Sequence, residues 1–224
     1  MNFLVLSLSS ATAICGKRSD IVFVVDQSGS IVDRNPPNGS WNNWVLIKQF
    51  IVQMIRTTNV SYDGTHIGLL TFGNIAVQRF LLNAYTDVDS VINAVNALPS
   101  GQGETNLQAG LNMLRTVYFN PNNGARPDVP HIAIVLTDGQ ANIQPANTIP
   151  EAQACQQAGI IIFSIGVTDQ INEQQLKAVS SPPQIKGENY WTTPDFTQLN
   201  TVLQSVTNAT CNPPKIETDG KLTK

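Results

Sequence analysis

The sequence predicts an α/β domain: a doubly wound, mostly parallel six-stranded sheet with one antiparallel edge strand and helices on both faces. Three observations carry this reading. Residues 21–25, 131–137 and 160–167 are apolar runs rich in β-branched residues, without the alternation of a half-exposed strand, as expected of strands buried on both faces. Segments with apolar residues at helical spacing lie between these runs. The 224 residues, 42% of them hydrophobic, are enough for one such core, and no internal repeat divides the chain.

Taken in order, residues 1–13 carry a short apolar core followed by Ala11-Thr12-Ala13, the pattern of a secretory signal peptide with a small-residue cleavage site. The domain proper is expected over 14–211, with a polar, flexible tail at 212–224. The first strand, 21–25, leads directly into Asp26-Gln27-Ser28-Gly29-Ser30. Residues 31–43 read as a loop, marked by Pro36-Pro37 and Asn38-Gly39, and carry Arg34 and Trp41. Trp44, Ile47, Ile51, Met54 and Ile55 then recur at helical spacing over 44–55.

Residues 66–72 and 76–82, separated by Gly73-Asn74, form an antiparallel hairpin and supply the edge strand. A helix over 86–98 is capped by Thr86 and stopped by Pro99. The Gly-rich turn 100–106 enters a helix over 107–118, and 120–130 is a polar loop. The strand 131–137 again ends in an acid, Asp138. A helix around 152–158 stops at Gly159, and the strand 160–167 follows. A short helix at 173–179, a short strand at 190–192 and an amphipathic helix at 196–206 complete the domain.

The formal net charge of -3 and the absence of any Lys/Arg run exclude a nucleic-acid footprint. No stretch is long enough to span a bilayer. Asn38, Asn59 and Asn208 each open an Asn-x-Ser/Thr glycosylation sequon at a loop or element end, in keeping with secretion. Cys15 stands just before the first strand and Cys211 just after the last helix, so in an oxidising compartment a Cys15–Cys211 disulfide is the natural pairing. Cys155 lies in a helix-like run and reads as a small buried residue.

Chemistry concentrates where apolar strands end. In a doubly wound sheet ligands bind at the carboxyl edge of the strands. Asp26, Ser28 and Ser30 reach that edge from the first strand, Asp138 from the strand 131–137 and Thr105 from the Gly-rich turn. All five offer hard oxygen donors, suited to Mg²⁺, Mn²⁺ or Ca²⁺ and unsuited to a soft metal. Enzyme signatures are missing: Asp26-x-Ser28 lacks the second Asp of an aspartate-based phosphatase, no Gly-x-Ser-x-Gly elbow exists, and Gly101-x-Gly103 precedes no Lys-Ser/Thr. His66 and His131 begin strands and are expected to be structural. Glu104 and Asp33 read as solvated acids in preference to a second cation site or to groups that repel an acidic partner.

Asp26-Gln27-Ser28-Gly29-Ser30, Gly103-Glu104-Thr105-Asn106-Leu107 and Leu136-Thr137-Asp138-Gly139 together resemble the metal-ion-dependent adhesion site of von Willebrand factor type A domains, in order and spacing. The resemblance spans about residues 19–211. The segment Ser40-Trp41-Asn42-Asn43-Trp44 is similar to type A domains of invertebrate matrix proteins such as those of mussel byssal threads or mollusc shell. The resemblance implies direct coordination of a divalent cation, Mg²⁺ foremost, by Ser28 and Ser30. It implies that Thr105 coordinates directly when a ligand is engaged and through water otherwise, and that Asp26 and Asp138 hold coordinating waters or bind directly. It further implies a secreted adhesion module that takes an acidic side chain of an extracellular protein, collagen or another matrix polymer. The other reading is a matrix-assembly domain whose metal only stabilises the fold. In integrin-type members the last helix slides when the metal site tightens, and a Cys15–Cys211 bond would limit that travel.

Overall fold

A computed structural model describes residues 15–216 and 222–223; the signal-peptide expectation for 1–13 lies outside the described residues. Six strands form the main sheet: β1 (Asp20–Asp26), β2 (His66–Phe72), β3 (Ala76–Phe80), β4 (His131–Thr137), β5 (Ile160–Val167) and β6 (Tyr190–Thr193). Their spatial order is β3-β2-β1-β4-β5-β6, with every neighbouring pair parallel except β2–β3. The chain therefore winds outward from β1 in one direction, returns to β4, and winds outward in the other. β1 and β4 are neighbours at the point where the winding reverses, where the carboxyl edge of such a sheet opens a crevice.

The alternation along β1 divides the core. Ile21, Phe23 and Val25 pack with α2 (Asn43–Arg56), α3 (Val88–Asn96) and α7 (Leu199–Cys211). Val22 and Val24 face the other way, toward α4 (Leu107–Met113) and α5 (Pro145–Gln157). Two further helices, α1 (Gly29–Asp33) and α6 (Glu173–Val179), are short. No helix among the described residues is long and apolar enough to cross a membrane.

Several element bounds differ from expectation, each for a local reason. The loop expected over 31–43 begins as α1, because Ile31 is drawn into the core at 1% exposure. The cap of α3 is Asp87, whose carboxylate accepts from Ser90 N at 2.8 Å, and not Thr86; the charged acceptor is the stronger cap. The helix expected to run to 118 widens after Met113 into a π-helical turn, Leu114–Tyr118, which keeps Leu114 and Tyr118 both fully buried. Tyr118 lies so close to Gly68 that a Cβ there would fall 2.9 Å from its ring. α5 starts seven residues earlier than expected, at Pro145 in the first helical position, through a polar run with no apolar period to read. The last helix begins with a 3₁₀ turn, Phe196–Gln198, and continues to Cys211, since Thr207 and Thr210 are buried in place of apolar residues. Cys211 is thus the end of α7 and does not follow it. Beyond it, Lys215–Ile216 pairs with Leu222–Thr223 in a short antiparallel ladder.

Both histidines serve one buried acid. Asp20 opens β1 with no exposed surface and receives Arg126 Nη2 at 2.7 Å, Nε at 2.9 Å and the Arg126 backbone N–H at 2.7 Å. His66 and His131 stand 3.8 Å from its two oxygens, on the strands at either side of β1. Cys155 is buried, its thiol pushed up to about 12 by that burial, and donates to Leu111 O.

Cys15 and Cys211 are disulfide-bonded, with Cα atoms 5.5 Å apart across a sequence separation of 196. Closing so long a loop restricts the unfolded chain by about 4–5 kcal/mol in the chain-entropy picture. Replacing both cysteines by serine is therefore expected to lower the unfolding free energy by about that amount. Urea denaturation of the two forms measures it, and coincident midpoints would sink the expectation.

Candidate metal centre

The carboxyl edges of β1 and β4 bring the first acid and its support together. The pairing sets Val25 beside Leu136, so Asp26 meets the end of β4. There Thr137 Oγ1 donates to Asp26 Oδ2 at 2.6 Å, and Ser28 N donates to Asp26 Oδ1 at 2.8 Å. Both carboxylate oxygens are held, and the side chain has no exposed surface. From Asp26 the backbone turns into α1, which presents Ser30. Ser28 Oγ and Ser30 Oγ lie 3.0 Å apart, and Ser30 Oγ donates to Asp138 Oδ1 at 2.8 Å. Four of the five expected residues, Asp26, Ser28, Ser30 and Asp138, thus form one continuous hydrogen-bonded chain.

Thr105 approaches on a separate loop that is pinned to the first. Gly29 N donates to Gly103 O at 2.9 Å, and Gly101 sits so close to Gln27 that a Cβ would fall 2.1 Å from its carbonyl oxygen. Gly103 adopts φ +99, a conformation that favours glycine. Thr105 is 5% exposed; its N–H is taken by Asn142 Oδ1 at 2.8 Å and its carbonyl by Asn142 N and Ile143 N. Its backbone is fixed beside the cluster, and its hydroxyl is not among the groups that bond Asp26, Ser28, Ser30 or Asp138. Glu104 is exposed and accepts from Asn142 Nδ2; Asp33 is also exposed.

Arg34, Thr137, Asn142 and Thr168 complete the centre, and the sequence reading assigned none of them a role. Arg34 Nη1 donates to Asp138 Oδ2 at 2.7 Å and to Asp138 O at 3.0 Å. Thr168 Oγ1 donates to the same carbonyl at 3.0 Å, from a backbone at φ +82 that a β-branched residue rarely adopts. Thr137 carried one usable signal, its place in Leu136-Thr137-Asp138-Gly139. Arg34 carried none, because the segment around it has no period.

Electrostatics match the geometry. Burial, and then the nearby Asp138, raise Asp26 from its usual range to about 6 despite the donors from Thr137 and Ser28. Burial raises Asp138 as well, opposed by Ser30 and Arg34. Two desolvated acids side by side, lined by hydroxyls and no sulfur or imidazole, suit a hard divalent cation. Among the described residues no group of three or more His, Cys, Asp or Glu offers an alternative metal cluster. Any site here is built on hydroxyl oxygens, and Ser28, Ser30, Thr105, Asp26 and Asp138 are the residues that would hold the ion.

Residues 20–205 match the family profile of the von Willebrand factor type A domain. The chain belongs to that family. Its type A domain is 32% identical over 184 residues to the mouse collagen alpha-6(VI) chain, covering 82% of this chain and 8% of that one. It is 27% identical over 199 residues to mouse matrilin-2, covering 87% of this chain and 19% of that one. Among solved structures it superposes on proximal thread matrix protein 1 from the mussel byssus, described with a zinc-occupied metal-ion-dependent adhesion site. That match has a TM-score of 0.77 and 29% identity, over 89% of this chain and 47% of that one. The chain thus spans less than half the length of each of these relatives. They are matrix proteins, and this is a type A domain of the kind they carry.

A cation at this centre competes with a proton for Asp26 once the pH falls to about 6, where burial places that carboxylate. Affinity is therefore expected to be full above pH 7 and to fall as pH drops through about 6. Titration calorimetry with Mn²⁺ at pH 7.5 and pH 5 tests this; Asp26 alone predicts a loss of about tenfold. A pH-independent affinity would show that Asp26 is ionised before the ion arrives.

Proposed function

We propose that this domain is a secreted matrix-adhesion module that binds an acidic side chain of an extracellular protein, collagen or another matrix polymer, through a divalent cation. The observation that carries the reading is the hydrogen-bonded chain Asp26–Ser28–Ser30–Asp138 at the carboxyl ends of β1 and β4. Ser28, Ser30 and Thr105 are the direct ligands in this reading, with Asp26 and Asp138 binding directly or holding waters. A bound ion supplies Lewis-acid attraction for a carboxylate. The residues keep that attraction strong, because only two formal negative charges face the centre and the other donors are neutral. Mg²⁺ suits a set that leaves positions of an octahedron to water and partner; Mn²⁺ and Ca²⁺ fit the same donor class.

Secretion is part of the proposal. The Cys15–Cys211 bond, the matrix relatives and the exposed Asn38, Asn59 and Asn208 of the three sequons support it. The matrix relatives support binding over catalysis.

A second reading, an assembly domain whose ion only stabilises the fold, draws on Arg34, which already occupies Asp138. Binding to immobilised collagen, with and without EDTA and with Asp26→Ala, separates the two. The proposal expects losses of about 100-fold or more in both arms; binding that survives both leaves the assembly reading standing. The Cys15–Cys211 bond also ties the end of α7 to the start of β1, which limits helix travel. Partner affinity is therefore expected to differ between reduced and oxidised protein, and equal affinities would show that α7 does not govern the site.

A further inference from the structure

The segment after β1 sends one charged side chain into the centre. Arg34 is the C-cap of α1, its N–H accepted by Ser30 O at 3.1 Å. The same short helix and its C-cap therefore present Ser30 and Arg34 together. Ser30 takes Asp138 Oδ1 and Arg34 takes Oδ2, so both oxygens of this buried acid are occupied from one short segment. The Asp138 carboxylate has no exposed surface, whereas the Arg34 side chain is 35% exposed. Part of the Arg34 side chain thus remains open to solvent beside the centre. Asp138 O, gripped by both Arg34 and Thr168, holds the arrangement in register. Neither the ligand pattern nor the metal requires an arginine here.

We infer that Arg34 sets the charge of the centre and thereby its choice of partner. This rests on the reading of Asp26, Ser28, Ser30, Thr105 and Asp138 as a cation site. Asp26 and Asp138 carry two formal negative charges, which a divalent cation neutralises. Among the groups that donate to these two acids, Arg34 is the charged one, and it adds one positive charge to the loaded centre. It weakens cation binding, by repulsion and by competing for Asp138 Oδ2. In return it adds a second, guanidinium contact for an incoming carboxylate, of the geometry that arginine makes best. A domain with an uncharged residue at this position has a neutral loaded centre and discriminates less against neutral partners.

The test uses the disulfide-bonded protein with Arg34→Gln and Arg34→Lys, their folding checked by circular dichroism. Mn²⁺ alone is titrated by calorimetry, and binding to a poly-glutamate surface is then measured in saturating Mn²⁺. Arg34→Gln is expected to bind Mn²⁺ about tenfold more tightly, the scale of one unit charge near a divalent ion in water, and poly-glutamate more weakly. Arg34→Lys, which keeps the charge, is expected to stay near the parent in Mn²⁺ affinity. Equal Mn²⁺ affinity in parent and Arg34→Gln overturns the inference while the cation site stands. Tighter Mn²⁺ with unchanged poly-glutamate binding overturns the partner-selecting half. Folded parent and variants that all fail to take Mn²⁺ overturn the cation site itself, and this inference with it.

Discussion

β1 begins and ends in a buried acid, and the two are answered differently. Asp20 at the amino edge receives a guanidinium on one oxygen and a backbone N–H on the other, with two histidines close by. It is a buried ion pair, with Arg126 opposing the desolvation of the acid. Asp26 at the carboxyl edge receives only a hydroxyl and an amide, and a second acid stands near it. Burial and mutual repulsion leave that pair short of positive charge. The parallel pairing of β1 with β4 is the constraint behind this, because it sets the ends of the two strands side by side. In the proposed reading, that shortage is what a divalent cation would meet.

The loops around the centre follow from the same constraint. A site made from two strand ends needs its remaining donors brought in from outside the sheet, and each loop that does so is locked by backbone contact. Gly103 and Gly29 join through N–H and carbonyl, Gly101 lies against Gln27, and Gln27 in turn accepts from Arg79 on β3 through Oε1 at 2.7 Å. Asn142 grips Thr105 by both its side chain and its backbone. Such preorganisation reduces the ordering that binding would otherwise require.

The parts of this architecture written as apolar period or as chemically unusual punctuation were legible in the sequence. Doubly buried strands read plainly as β1, β4 and β5, and their terminal acids and Gly-rich turn marked the candidate ligands. What escaped was structure fixed by tertiary contact. The first turns of α5 are polar and exposed, so no periodicity announced them. The π-helical turn at Leu114–Tyr118 serves the packing of one tyrosine on one glycine of a distant strand. Arg34 reaches Asp138 across 104 positions of sequence, from a stretch whose Pro and Gly residues indicated only a loop. Thr168 acts through a strained backbone angle that residue identity alone does not reveal.

The disulfide has a mechanical consequence. Cys15 and Cys211 bring the two ends of the domain to a Cα separation of 5.5 Å, at the amino edge of the sheet and away from the centre. Tension arriving along chain on either side would pass from one cysteine to the other through a single covalent bond. The strands and helices between them would bear no load, and the crevice between β1 and β4 would keep one shape in a slack or a stretched fibre. Reduction would remove that bypass and expose the domain to pulling. The 196-residue interval could then pay out about 650 Å of extended chain. In a load-bearing matrix, the same bond would make this domain an inextensible bead when oxidised and a reserve of length when reduced.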